Sequence, residues 1–211
     1  MIIKAPYFIE VCVDNLEDAL GAEANGADQI ELCSNLDLEG LTPGRELLDQ
    51  AFGQLNIPIK PMLRSRSGNF SYTEAEKLEM LNSLEVLKAY PCHSIVFGAL
   101  DDKNQIDQDF LEMVINELSN HKLCFHKAID HTSDMLESCK VLASYSAVKE
   151  VLSSGGAETA RKGAEVLLSM KKTLRTDQIL IGAGKILPEN VSELHNLVKL
   201  EYYHGRKIIK Y

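Results

Sequence analysis

Two short segments near the N-terminus carry the same pattern, in which a glutamate and a cysteine stand two positions apart. Phe-Ile-Glu-Val-Cys ends at Cys12, and Gln-Ile-Glu-Leu-Cys ends at Cys33, 21 residues later. Side chains two positions apart in a β-strand point to the same face. Glu10 therefore shares a face with Cys12, and Glu31 shares a face with Cys33. If the aliphatic residues between them pack outward on helices, these four side chains point into the fold.

Two cysteines at the ends of neighbouring strands can share one ligand, because adjacent strands lie about 4.8 Å apart. Soft thiolates prefer Cu(I) or zinc to magnesium or calcium. Structural zinc usually takes four ligands, whereas two thiolates can hold Cu(I). The pattern predicts that Cys12 and Cys33 bind Cu(I), with Cys124, Met62 or His126 as auxiliary donors. The alternative for any single cysteine is that it only fills space in the core.

A second group of candidate residues is polar and follows several of the predicted strands. An imidazole can act as acid or base near neutral pH, with a glutamate as its partner. The candidate catalytic residues are His126, Glu10 and Glu31. An arginine can hold an anion by its two-pronged donor geometry, and glycine-rich turns can cradle a phosphate or simply form tight turns. The candidate anion-binding residues are Arg64, Arg66, Ser154, Gly182 and Gly184.

The elements that position these residues alternate regularly along the chain. Eight strands are predicted, at Tyr7–Val13, Gln29–Cys33, Pro58–Leu63, Ser94–Phe97, Lys122–Phe125, Val148–Leu152, Gln178–Ile181 and Leu200–Tyr203. Seven helices are predicted, at Leu16–Asn25, Arg45–Phe52, Tyr72–Lys88, Gln108–Leu118, Asp134–Ala143, Ala157–Met170 and Glu189–Leu197. Strict alternation indicates parallel βαβ units with right-handed crossovers. Eight such units close into a (β/α)₈ barrel, whose active sites lie at the C-terminal ends of the strands.

The predicted fold is an α/β TIM-like barrel that lacks its last helix and takes up the chain, 1–211, as a single domain. The alternative, an open doubly wound sheet, is disfavoured because no GxGxxG motif follows the first strand. Too few residues follow the eighth strand for another helix. We expect an exposed apolar flank between the seventh and first helices, which a second copy of the chain could cover in a homo-oligomer.

Composition narrows the class of protein. The chain of 211 residues is 45% apolar, which is enough for a packed core. Its net charge of −9 argues against binding to nucleic acid. No run approaches the roughly 20 apolar residues of a membrane span, and no signal peptide is apparent at the N-terminus. Five dispersed cysteines indicate thiols in a reducing compartment. We therefore expect a cytosolic protein that needs no organic cofactor and has no membrane partner.

A series of motifs resembles the CutC (copper homeostasis) family. They lie at 10–14 (EVCVD), 26–34 (GADQIELCS), 40–43 (GLTP), 64–70 (RSRSGNF, similar to RPRGGDF), 96–100 (VFGAL), 125–130 (FHKAID, similar to FHRAFD), 151–155 (VLSSG, similar to VLTSG) and 182–184 (GAG). The resemblance implies a (β/α)₈-like barrel, a cytosolic location and Cu(I) binding or tolerance. It also implies that Cys12 and Cys33 are the copper ligands. The family's polar residues at the barrel mouth match Glu10, Glu31, Arg64, Arg66, His126 and Ser154.

Several positions depart from the family's pattern. Ser65, Ser67 and Asn69 replace proline, glycine and aspartate, and Lys127 replaces an arginine. Two functions remain open from the sequence. One is a copper homeostasis protein that binds Cu(I) through cysteines at the barrel mouth. The other is a TIM-barrel enzyme of unknown reaction, which acts on a small anionic metabolite by His/Glu acid–base chemistry and an arginine anion clamp.

Overall fold

The computed structural model describes residues 6–210, in which eight strands alternate with seven α-helices. The strands are β1 (Phe8–Val13), β2 (Gln29–Leu32), β3 (Ile59–Pro61), β4 (Ile95–Phe97), β5 (Leu123–Phe125), β6 (Val148–Ser153), β7 (Ile179–Gly182) and β8 (Tyr202–Gly205). The helices are α1 (Leu16–Ala24), α2 (Arg45–Gln54), α3 (Glu74–Leu87), α4 (Gln108–Glu117), α5 (Met135–Ser144), α6 (Ala164–Thr173) and α7 (Val191–Val198). Two short 3₁₀ helices lie at Leu36–Leu38 and Lys127–His131.

All eight strands belong to one parallel sheet, in the spatial order β3-β2-β1-β8-β7-β6-β5-β4. The two terminal strands of this order, β3 and β4, approach each other just beyond their ends. There Met62 forms a parallel bridge with Val96, and the Leu63 N–H donates to the Val96 carbonyl at 2.8 Å. The sheet is thus a nearly closed barrel, and the predicted TIM-like fold lacking its last helix is confirmed.

Local side chains explain where several helices begin. Asn15, Asp107 and Asp134 each accept a hydrogen bond from a backbone N–H in the first turn of the helix that follows. Thr73 and Glu76 form a reciprocal capping box at the start of α3. Such caps satisfy N–H groups that have no partner within the helix and stabilise it by about 1 kcal/mol each.

The predicted start of the sixth helix is wrong by seven residues. The residues at 157–163 form turns, and α6 begins only at Ala164. Gly155 has a φ of +70° and packs against the backbone of Gly163 so closely that a Cβ would lie 2.4 Å from its carbonyl oxygen. The Ala160 N–H donates to the Gly184 carbonyl of the next loop. The close approach of Gly155 to Gly163, together with the bond to the distant Gly184, overrides the local helical preference of the segment.

The barrel interior contains a polar layer and an apolar layer. Toward the C-terminal ends of the strands, the interior cluster consists of Cys12, Cys33, Met62, Val96, Cys124, Leu152, Ile181 and Ala183. Below it, Glu10, Lys60 and Glu150 are buried together. The intervening aliphatic residues of the strands pack outward against the helices in a separate, larger core. The predicted inward direction of both Glu-x-Cys segments is therefore observed.

The flank between α7 and α1, expected from the sequence to be apolar, contains both apolar and charged side chains. A hollow of about 530 Å³ lies there, lined by Cys12, Asp18, Leu187, Pro188, Glu189, Arg206, Lys207, Ile209 and Lys210. In residues 6–210 no helix follows β8, but the short segment after it turns back and buries Ile208. Leu187, an exposed apolar residue before α7, remains on this flank beside the charged ones. Self-association through it stays a prediction, which sedimentation analysis would test.

No helix between residues 6 and 210 has both the length and the apolar character that crossing a bilayer demands.

Candidate functional site

Two thiols meet at the mouth of the barrel. Cys12 lies near the end of β1 and pairs in register with Glu31 of β2, and Cys33 directly follows β2. The two Sγ atoms are 3.8 Å apart, and Cys33 Sγ lies 3.8 Å from Glu31 Oε2. Within the described residues, the donor atoms of Cys12, Glu31 and Cys33 all lie within 4.8 Å of one another and form a possible metal-binding group. Both cysteines are free thiols.

The pKa of each thiol is raised. For Cys12, the hydrogen bond with Cys33 and burial raise the pKa well above its usual value. For Cys33, the hydrogen bond with Cys12 lowers the pKa, but burial and the nearby Glu31 carboxylate outweigh it and raise the pKa overall. Both sulfurs are therefore protonated at neutral pH, and a metal ion that binds them as thiolates must displace their protons.

A buried ion-pair network lies beneath the thiols. Glu10 Oε2 accepts from Lys60 Nζ at 2.7 Å and from Gln29 Nε2 at 2.6 Å. Lys60 also lies 3.1 Å from Glu150, so one ammonium group serves two carboxylates. Burial alone would raise the pKa of Glu10, but Lys60 and His204 outweigh it and lower the pKa to about 2. Glu10 is therefore a structural anion rather than a free proton acceptor.

His204 at the end of β8 connects the network to the thiols. Its Nδ1 lies 2.7 Å from Glu10 Oε1, and its Nε2 lies 3.7 Å from Glu31 Oε2. Burial lowers the pKa of His204, but Glu31, a hydrogen bond with Cys12, and Glu10 together raise it well above its usual value. His204 is thus an imidazolium at neutral pH. The sequence reasoning did not select it, although a histidine at the end of the strand that closes onto β1 was a usable signal.

A cavity of about 300 Å³ opens beside the thiols. Its walls are formed by Cys12, Glu31, Glu39, Met62, Arg64, Phe70, His126, Lys127, His131, Leu152 and His204. Four of the predicted candidates therefore line this cavity: Cys12, Glu31, Arg64 and His126. Glu10 lies beneath it, and Cys33 is adjacent through its contact with Cys12.

The guanidinium of Arg64 is bound through its two terminal nitrogens. Its Nη1 donates to the Glu39 carbonyl at 3.2 Å, and its Nη2 donates to the Gly68 carbonyl at 2.9 Å and lies 3.5 Å from Glu39 Oε2. Its Nε has no hydrogen-bond partner, although the side chain is buried. The guanidinium lies over the Phe70 ring at 4.8 Å from the ring centroid. These contacts hold Arg64 in place and leave its Nε unused.

His126 also has one unused nitrogen. Its Nδ1 accepts from the Ala128 N–H at 3.1 Å, so the proton of the neutral ring is on Nε2, which has no partner. Burial and the charge of Arg64 lower the pKa of His126 to about 3. In the described part of the chain no hydrogen bond or ion pair joins His126 to Glu10 or Glu31. Glu10 is already bound by Lys60 and His204, whereas Glu31 lines the same cavity as His126. The acid–base role of His126 with Glu31 therefore stays a prediction.

The other candidate anion-binding residues do not converge on the cavity. Arg66 is held at 2.5 Å from Glu76 and is not among the cavity's lining residues, so it forms no clamp with Arg64. Gly182 packs against Leu200 and Tyr203 in the core. Gly184 has a φ of +108° and uses its carbonyl to hold the turn that precedes α6.

Ser154 is bound to an aspartate that the sequence reasoning did not select. Asp130 accepts from the Ser153 hydroxyl, from both the N–H and the hydroxyl of Ser154, and from the Gly156 N–H. Asp130 is therefore an anchor for the loop after β6, and the Ser154 hydroxyl is already engaged. A carboxylate four residues after His126 in the motif at 125–130 was the available signal.

The comparison with protein families agrees with this architecture. The model of the CutC family matches residues 7–209. The chain belongs to the CutC family. Among its CutC relatives, the copper homeostasis protein cutC homolog of Caenorhabditis elegans is 34% identical over 199 residues, covering 93% of this chain and 79% of the relative. The human copper homeostasis protein cutC homolog is 30% identical over 188 residues, covering 89% of this chain and 68% of the relative.

Solved structures show the same barrel. The crystal structure of a CutC copper homeostasis protein from Streptococcus agalactiae superposes with a TM-score of 0.89 at 23% identity, covering 96% of this chain and 100% of that one. A phosphoribosyl anthranilate isomerase from Thermococcus kodakaraensis gives a TM-score of 0.61 at 18% identity, covering 97% of this chain and 90% of that one. At these identities the likeness concerns the fold alone.

Proposed function

We propose that this CutC-family protein binds Cu(I) through Cys12 and Cys33 in the cytosol, as a copper homeostasis protein. The observation that carries the proposal is the 3.8 Å separation of the two Sγ atoms. Zinc–thiolate bonds are about 2.3 Å long, and one ion bound at that length can join sulfurs up to about 4.6 Å apart. The observed separation lies within this limit, so one ion can bind both sulfurs without a large movement.

The surroundings of the thiol pair favour Cu(I) over zinc. Glu31 belongs to two possible metal-binding groups among the described residues, one with Cys12 and Cys33 and one with Glu10 and His204. Glu10 and His204 already bind each other, which leaves Cys12, Cys33 and Glu31 as donors, whereas structural zinc is almost always four-coordinate. The walls next to the pair are apolar and include the soft donors Met62 and Cys124. A site rich in sulfur and poor in oxygen suits Cu(I), which thiolates and thioethers select.

Loss of both thiols tests the proposal directly. Cu(I) is titrated into the reduced protein against a competing chelator, and the wild type is compared with Cys12→Ala/Cys33→Ala. Loss of groups that merely orient a metal's ligands costs about 10- to 100-fold in affinity, so loss of both ligands is expected to cost at least about 100-fold. Cys92→Ala/Cys139→Ala is the matched control, because both residues are free cysteines outside the site. Equal affinities of the two double variants would refute the proposal.

Proton release provides a second test. Because the pKa values of Cys12 and Cys33 are raised, Cu(I) binding at pH 7 is expected to release about two protons per ion. A pH indicator in weakly buffered solution measures this release. Release of no protons would show that the thiols are not the ligands. Fractionation of cells that express the tagged protein tests the cytosolic location.

A second candidate function is the binding of a small anion in the 300 Å³ cavity. The supporting observation is that Arg64 Nε and His126 Nε2 are both buried without a hydrogen-bond partner. His126 and Glu31 both line this cavity, and the unpartnered donors of Arg64 and His126 support the binding of an anion there, independently of any reaction. Calorimetric titration with 4-methylpentanoate, a simple carboxylate, tests this function. Absence of binding both of this acid and of its 2-hydroxy and 2-amino derivatives would refute it.

A further inference from the structure

Three unpartnered polar atoms belong to residues that line the 300 Å³ cavity. They are Arg64 Nε, His126 Nε2 and Glu31 Oε1. The three residues are only 3%, 4% and 3% exposed, respectively. A buried polar atom without a partner is rare in folded proteins and calls for a specific explanation. Three such atoms around one cavity indicate a ligand that supplies the missing partners.

The hydrogen-bonding roles of these atoms define the chemistry of the ligand. Arg64 Nε can only donate. His126 Nε2 also donates, because Nδ1 is occupied as an acceptor from the Ala128 N–H. Glu31 Oε1 is an acceptor, since its partner oxygen already takes the contacts with Cys33 and His204. The complementary ligand offers acceptors to two donors and a donor to one carboxylate oxygen.

The size and the apolar lining of the cavity limit the rest of the ligand. A volume of about 300 Å³ is at the small end of small-molecule sites, too small for a nucleotide. Met62, Phe70 and Leu152 supply apolar walls. The Phe70 ring lies 4.8 Å from the Arg64 guanidinium carbon and 5.0 Å from the His126 ring. The anionic end of the ligand is therefore placed beside Phe70, with an apolar body of a few carbons next to it.

The charges around the cavity favour a monoanion over a phosphate. Arg64 and Lys127 are the cations, but Glu31 and Glu39 also line the cavity, and Glu39 Oε2 lies 3.5 Å from Arg64 Nη2. A phosphate dianion carries twice the charge of a carboxylate and would be repelled more strongly by both glutamates, and a phosphomonoester dianion also has no hydrogen-bond donor for Glu31. A carboxylate matches the planar donor geometry of an arginine. A hydroxyl or ammonium group on the same molecule would satisfy Glu31.

We propose that the cavity binds a small monocarboxylic acid that also carries a hydroxyl or amino group and has a short apolar chain. The carboxylate accepts from Arg64 Nε and His126 Nε2, and the hydroxyl or amino group donates to Glu31 Oε1. This inference rests on the anion-binding function proposed above and does not depend on copper.

Matched ligands test the inference without any mutation. The reduced, copper-free protein is titrated calorimetrically with 2-hydroxy-4-methylpentanoate, leucine, 4-methylpentanoate and inorganic phosphate. The first two differ from the third only by the added hydroxyl or amino group. At least one of them is expected to bind about tenfold more tightly than 4-methylpentanoate, as one added hydrogen bond to a charged group predicts. Phosphate is expected to bind more weakly than either.

Two variants locate the binding. Arg64→Lys removes the unpartnered Nε and is expected to weaken binding of the preferred acid about tenfold. Arg66→Lys is the matched control, because Arg66 is two residues away, does not line the cavity and pairs with Glu76. It is expected to change the affinity by no more than about twofold. Equal effects of the two substitutions would overturn the assignment of the site.

The outcomes separate the two proposals. If none of the acids binds at about 10 mM, both the anion-binding function and this inference are wrong. If 4-methylpentanoate binds as tightly as the other two acids, anion binding stands and only the role given to Glu31 is overturned. If phosphate binds most tightly, the ligand is not a carboxylic acid of the proposed class.

Discussion

A Lys60→Met substitution removes the cation that lies between two carboxylates inside the barrel. Lys60 Nζ is 2.7 Å from Glu10 and 3.1 Å from Glu150, and all three side chains are at most 3% exposed. Removal of one partner from a buried ion pair costs about 3–5 kcal/mol, because the remaining charge is left without compensation. Glu10 keeps His204 as a partner, so most of the penalty falls on Glu150. We expect the free energy of unfolding to fall by about 3–5 kcal/mol at pH 7.

The expected change is large enough for ordinary assays. For a chain of about 200 residues, 1 kcal/mol corresponds to roughly 2–4 °C in melting temperature. The predicted loss is therefore about 6–20 °C, and urea unfolding followed by circular dichroism measures it independently.

Two further variants make the result specific. Lys140→Met removes a lysine whose partner Glu137 is also exposed, and exposed pairs contribute little to stability. Lys60→Met/Glu150→Gln removes the uncompensated charge together with the cation and should recover part of the lost stability. If Lys60→Met and Lys140→Met unfold at the same urea concentration, the idea that buried charge pairs stabilise the barrel interior is refuted.

Three further results are expected. The pKa of Glu10 lies at about 2 instead of 4.5, so its stabilising effect is present above about pH 4.5 and is lost as the pH falls toward 2. In Glu10→Gln the urea unfolding midpoint should therefore depend less on pH over that range than in the wild type. Parallel pH profiles of the two proteins would contradict this. Asp130→Asn should lower the free energy of unfolding, measured with urea, by about 2–4 kcal/mol, because it weakens the hydrogen bonds that hold residues 153–156. A decrease of less than about 1 kcal/mol would contradict this. In Gly98→Ala a Cβ would lie 2.4 Å from His126 Nδ1, so the displaced ring should weaken calorimetric binding of the preferred acid about tenfold; unchanged affinity would show that this ring does not contact the ligand.

The strands and most helices could be predicted because their signals are local. Polar caps such as Asn15 and Asp134 lie beside the elements that they begin. The sixth helix was predicted too early because the turns at 157–163 depend on contacts with Gly155 and Gly184. A propensity pattern contains no information about such contacts between distant segments.

Part of the candidate site could likewise be predicted from local signals, and part of it could not. Cys12 and Cys33 could be placed together because β1 and β2 are consecutive and parallel, and strand alternation puts both thiols inward. The partner of Glu10 could not be chosen, because Lys60 and His204 lie 50 and 194 residues away. The prediction paired His126 with a glutamate on the basis of suitable chemistry alone. Barrel closure binds Glu10 to Lys60 and His204, whereas His126 and Glu31 line the same cavity.

The amino-acid sequence by itself determined the alternation of strands and helices and the face on which each Glu-x-Cys segment lies, because strand geometry settles both within a few residues. The tertiary structure decided which charges are neutralised and which donors remain unused. Closure of β8 onto β1 brings His204 to Glu10, and the loop that follows β3 positions Arg64 beside Phe70. Such pairings depend on strand register and barrel closure, which result from many weak packing contacts along the whole chain.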